Sequence, residues 1–197
     1  MSSSPVALRP LLGWWEAWRA RRALEAWAAA YVSTLGREPL SADVEWLASH
    51  AAGDDLDHAR WELRYARWAL GLIGAQRDAL DDRTASLVAR ALAVALAHDP
   101  SIAAGKLRVA ERQLNLRLRA YTDALTNREG AGSGWHLGRT LLRFAGRTDA
   151  VPGEVVARAG DILSRDLAEA NAALRDQFGE ATLPDTSASS VAHASSR

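Results

Sequence analysis

Residues 56–80 read LDHARWELRYARWALGLIGAQRDAL, and this stretch is apolar along two faces at once. Leu56, Leu63 and Leu70 recur every seven residues, while Trp61, Tyr65, Trp68 and Leu72 keep helical spacing on the other side. A helix apolar on two flanks is covered on two flanks, so the pattern predicts a central helix enclosed by others. Asp54 or Asp55 supplies the carboxylate that starts it.

Working outward, the same periodicity predicts six more helices with short connections. Toward the N-terminus lie about Leu11 to Leu35, closed by Gly36 and Pro39, and about Ala42 to Ala51, capped by Ser41 and stopped by Gly53. On the other side come about Arg83 to Ala97, capped by Asp81 and Asp82 and stopped at Asp99-Pro100, and about Ile102 to Asn127, capped by Ser101. The inward stripe of the former includes Leu87, Val88, Ala91, Leu92 and Ala95; that of the latter is Leu107, Ala110, Leu114, Leu118, Tyr121 and Leu125. A Gly-rich loop, 129–134, leads into about Trp135 to Phe144. The last helix starts around Pro152 and reaches Phe178 along Val156, Ala159, Leu163, Leu167, Ala170 and Leu174.

Period-2 alternation bounded by turn residues is missing, and Ala, Leu, Arg and Glu dominate, so the expected class is all-α. The expected architecture is a single antiparallel bundle of about seven helices over residues 11–180. Residues 1–10 are expected to form a flexible segment and 181–197 a disordered tail.

Composition removes several function classes. The 197 residues balance 24 basic against 24 acidic side chains, and no Cys means no thiol catalysis, thiolate metal site or disulfide. No apolar run approaches the roughly 20 residues of a membrane span. A cytoplasmic protein is expected, peripheral at the inner membrane face in the alternative reading. Lys106 is the single Lys among those basic residues, a bias that a GC-rich coding sequence explains as well as phosphate recognition does. The eight Trp residues have no such explanation.

Four constellations stand out. In the first helix, Leu11, Trp14, Trp15 and Trp18 lie nearly opposite Leu24, Trp27, Tyr31 and Leu35, with Arg19, Arg21 and Arg22 alongside. One packed face cannot serve both groups, so the tryptophans either turn back onto the bundle or meet a protein partner or an anionic membrane surface. Residues 106–147 carry nine basic against three acidic side chains, and the rest of the chain beyond them four against eight. Arg108, Arg112 and Arg119 share one helix face with Asn115, and Arg139, Arg143 and Arg147 step by four on the next helix. Such a stripe suits an anion, unless the acidic last helix lies alongside and neutralises it, which is the expectation here.

Gly130, Gly132 and Gly134 precede a helix bearing Arg139. A helix rather than a strand comes before them, which argues against a nucleotide-cradling loop, and Ser133 with His136 lacks an orienting acid. Finally, Asp55, His58 and Glu62 share a face of the central helix, near Glu45 and His50. A bundle-core metal or enzyme site needs paired Glu-x-x-His motifs, which this sequence does not contain.

The pattern therefore predicts a non-catalytic accessory or structural subunit acting through protein–protein contacts of its Trp/Arg helix. Peripheral membrane docking by the same helix, or a site at Asp55, His58 and Glu62, are the alternatives. No cofactor is expected. Nucleic acid is disfavoured by the neutral overall charge and the lack of a recognition motif, and a small-molecule substrate is left unassigned.

Overall fold

The computed structural model describes residues 9–78, 82–103, 105–127, 130 and 132–179, with 9–14 and 78 described by backbone alone. The expected disordered tail lies outside the described residues. So does most of the expected flexible segment, although Arg9 and Pro10 already belong to the first helix.

Among the described residues the fold is all-α, with seven helices and no strand: α1 (Arg9–Leu35), α2 (Ser41–Ala51), α3 (Leu56–Asp78), α4 (Asp82–Ala97), α5 (Leu107–Thr126), α6 (Ser133–Phe144) and α7 (Gly153–Phe178). Helix α3 touches all six others, as its two apolar flanks require. From Leu63 to Ala75 every residue but Arg67 is buried. Its start is the expected carboxylate cap, the Asp55 side chain accepting from the His58 amide at 2.9 Å.

Several local expectations are corrected. Ser41 is the first helical residue rather than a side-chain cap; Leu40 occupies the cap position without a side-chain bond. Helix α5 begins five residues later than expected, because Ser101 turns back to Asp99 through its amide and hydroxyl. Gly105 then takes a left-handed φ of 81°. On α1 the buried face is Ala28, Tyr31, Val32 and Leu35, and Trp27 sits at the rim, edge-on to Phe178 at 6.1 Å. Leu56 is exposed at the first turn of α3, and Ala95 of α4 faces solvent while Thr84 and Leu96 face in.

Packing of α6 on α7 uses a device the hydrophobic pattern does not reveal. Gly134 and Gly138 stand one turn apart on α6, opposite Gly160 of α7. A Cβ at Gly138 would lie 2.7 Å from the Gly160 nitrogen and closer still to the Val156 carbonyl oxygen. One at Gly160 would lie 3.0 Å from the Gly134 carbonyl carbon. The two backbones therefore meet directly. After Phe144 the chain leaves α6 through Gly146, at φ 109°, with the Gly146 and Arg147 amides bonded to the Arg143 and Leu142 carbonyls.

Buried charges cross-link the bundle. Arg117 of α5 forks onto Glu62 of α3, with Nε–Oε2 at 3.0 Å and Nη2–Oε1 at 2.5 Å. Its guanidinium also lies 4.3 Å from the Phe144 ring centroid and 5.2 Å from that of Tyr65. Arg64 lies over the rings of both Trp61 and Trp68, at 4.6 and 5.0 Å from their centroids, and is paired with Asp99. Asp43 of α2 accepts from Arg165 and Arg158 of α7, and Asp166 from Arg67 of α3.

Candidate functional site

Helix α1 is two structures in one rod. From Leu24 onward it packs on α4 and α7, whereas residues 15–22 are exposed without exception. Trp15 and Trp18 keep 49% and 41% of their surface in solvent, with ring centroids 5.6 Å apart and edge-on. Arg22 lies over the Trp18 ring at 5.1 Å, and Arg21 pairs with Glu25 at 3.0 Å. Arg19 is exposed beside them. The side chains of Leu11 and Trp14, expected in the same cluster, lie outside the described residues.

A second surface runs along α5 and α6. Arg108, Arg112, Asn115 and Arg119 line a shallow groove on α5 together with Glu111 and Leu116. One turn further, Ala120, Asp123, Ala124 and Asn127 form one wall of a cleft of about 660 Å³. Its other wall is Trp135, His136, Arg139, Thr140 and Arg143 of α6, and its far end is the connection 147–151. Arg147 is held there by Asp149 at 2.8 Å and by the His50 carbonyl at 2.7 Å. The expectation that the acidic last helix neutralises this stripe is overturned for α5: α7 packs on α6, α3, α1 and α2 and does not touch α5. Arg139 and Arg143 are exposed on the face of α6 turned away from its glycine contact with α7. The Gly-rich loop leads into α6 with Gly130 and Gly132 left-handed, and Ser133 is the exposed first residue of the helix, while His136 lines the cleft.

No protein-family model matches the chain, and no curated protein or solved structure matches it.

The constellation Asp55, His58 and Glu62 separates into three different jobs. Asp55 caps α3, His58 is half-buried one turn on, and Glu62 is consumed by its fork with Arg117. Among the described residues no group of three metal-ligating side chains converges. His50 stacks on Trp46 at 4.9 Å and bonds within its own helix. With both Glu62 oxygens engaged by the Arg117 fork and no ligand cluster around them among the described residues, the spacing on α3 marks a structural pair.

Around that pair the tyrosines are pushed away from ionisation. Burial raises the Tyr121 phenol far above its ordinary value, with the Glu62 charge adding to the effect. Burial also raises Tyr65, against the opposing pull of Arg117. Both are neutral packing groups at any ordinary pH. Among the described residues no helix is long and apolar enough to cross a membrane.

Sequence reasoning missed the cleft as a shape and, with it, Asp123, Asn127, Trp135, Thr140 and Thr148. The only signal available was the four-residue spacing of Gly134 and Gly138, which draws α6 onto α7 and leaves its arginines on the outside.

Proposed function

We propose that the protein is a non-catalytic helical accessory subunit that docks on a protein partner through the outer half of α1. The observation that supports this is the pair of indoles at Trp15 and Trp18, nearly half exposed on a helix whose other half is anchored in the bundle. Indoles offer large, rigid contact area at small entropic cost and are enriched among the residues that dominate binding energy. Arg19 and Arg22 rim them, which fits a partner with an apolar recess bordered by carboxylates.

The test is binding by purified components. A partner identified by co-purification with the native protein is produced separately and titrated against wild type and the double variant Trp15→Ala/Trp18→Ala. Loss of two anchor residues should weaken the complex at least about 30-fold, corresponding to about 2 kcal/mol. Unchanged affinity would refute the docking face. Co-sedimentation with anionic vesicles, abolished in the same variant, would replace the protein partner by a membrane surface.

A further inference from the structure

The arginines of α5 and α6 remain unexplained by docking through α1. Arg108, Arg112, Asn115, Arg119, Asp123 and Asn127 follow one another at steps of three or four, so they form one row along α5. At 1.5 Å per residue this row is about 28 Å long. Its second half opens into the cleft, where Arg139 and Arg143 stand on consecutive turns of α6. Arg108, Arg112, Arg119, Arg139 and Arg143 are all exposed, and none forms an ion pair among the described residues. Three carboxylates belong to the same surface: Glu111 in the groove, Asp123 at the junction and Asp149 on Arg147.

We infer that this groove and cleft bind a single-stranded nucleic acid, its phosphates on the five unpaired arginines and a base against Trp135. Three features separate this ligand from an acidic polypeptide. The cations are spread over two neighbouring helices, three along α5 and two on consecutive turns of α6 across the cleft, a spacing that suits a backbone with a charge on every repeat. The cleft wall between them mixes Asn127, Thr140 and Thr148, polar groups suited to phosphate and base edges, with the apolar Trp135, Val151 and Val156, a pairing that suits a sugar-phosphate chain carrying flat bases. Trp135 is half-buried and rests on the Gly153 backbone, so it is a fixed planar wall that accepts any base by stacking. Leu116, exposed in the groove between Arg112 and Arg119, gives a second apolar surface for a base. Phosphate contacts and stacking carry the binding, so the interaction is sequence-tolerant.

Fluorescence anisotropy with the full chain and a labelled oligo-dT of roughly 15 nucleotides tests this. Five phosphate contacts predict a log–log salt slope of about −3.5, hence about 100-fold weaker binding on going from about 50 to 200 mM salt. Arg139→Ala/Arg143→Ala should weaken binding at least about tenfold and flatten the slope by about 1.4. Arg108→Ala/Arg112→Ala/Arg119→Ala should flatten it by about 2.1. Asp123→Asn removes a carboxylate from beside the strand and should tighten binding several-fold, a gain that no unfolding artefact can produce. Absence of binding at low salt, arginine variants that bind like wild type, or displacement of the oligonucleotide by polyglutamate at matched charge would each overturn the assignment.

Discussion

Replacing Gly138 by Ala adds one methyl group where two helix backbones touch. The new Cβ would stand 2.7 Å from the Gly160 nitrogen and nearer still to the Val156 carbonyl oxygen. Ordinary contact begins near 3.4 Å, so α6 and α7 must part by at least about 0.7 Å, and neither obstacle is a side chain that can swing aside. A gap of that size forfeits about a quarter of the van der Waals attraction across it. Leu137, Leu141 and Leu142 on α6, with Val156, Ala159 and Leu163 on α7, are all buried on these two helices. A quarter of the roughly 2 kcal/mol attached to each of the four leucines among them is about 2 kcal/mol. Residual overpacking strain adds about 2 kcal/mol, and the better helix propensity of Ala returns about 1 kcal/mol. The net expectation is destabilisation by about 3 kcal/mol, read as a lower urea midpoint with unchanged slope. By melting it corresponds to a fall of about 6–12 °C. Gly36→Ala is the control: its Cβ would meet only the Ser33 and Val32 carbonyls at 3.6 Å, and it should change stability by less than about 0.5 kcal/mol. A Gly138→Ala protein within about 1 kcal/mol of wild type would refute direct backbone contact as the basis of this seam.

Two further expectations concern the buried charges. Arg117→Met leaves the Glu62 carboxylate enclosed without its fork and should cost about 3–5 kcal/mol, while Glu62→Gln/Arg117→Met should recover much of that loss; a denaturation double-mutant cycle showing simple additivity would contradict the pairing. For Asp99, desolvation pushes the carboxyl up. The hydroxyl and amide of Ser101, then Arg64, outweigh it and hold the group below the ordinary carboxylate range. Its stabilising contribution is therefore present above the unfolded value near pH 4 and fades as pH falls through the lower folded value. The stability difference between wild type and Asp99→Asn should be largest near neutrality and shrink in acid; a gap that widens on acidification would be inconsistent with this balance.

Much of the fold was readable because α3 wears its environment in its own spacing. A residue pattern apolar on two sides has few solutions, and an enclosed helix is one of them. Trp27 was misplaced by the same logic, since periodicity assigns an angle around a helix but not the depth of the neighbour it faces. Phe178 at the end of α7 gives Trp27 a rim contact that no local pattern encodes. The late start of α5 escaped notice because Ser101 has two uses, as a cap or as a turn partner of Asp99, and only the Arg64 contact across 37 residues favours the second. The cleft depends on where α6 and α7 cross and on α7 lying away from α5, both tertiary facts. Its arginines were visible as a charge run, and the expected neutralisation failed because the acidic groups Asp166 and Glu169 are turned toward Arg67 and Arg165 instead.

The enclosure of α3 by helices drawn from both sides of the chain bears on how a nascent polypeptide reaches this state. Helices α1, α2 and α4 can cover part of Trp61–Ala75 early in synthesis. The remainder must wait until α5, α6 and α7 have emerged. A truncated chain released near residue 103 would display a naked oily strip beside the unpartnered carboxylate of Glu62. Holdase chaperones should capture truncated translation products of that length more strongly than shorter ones that stop before α3.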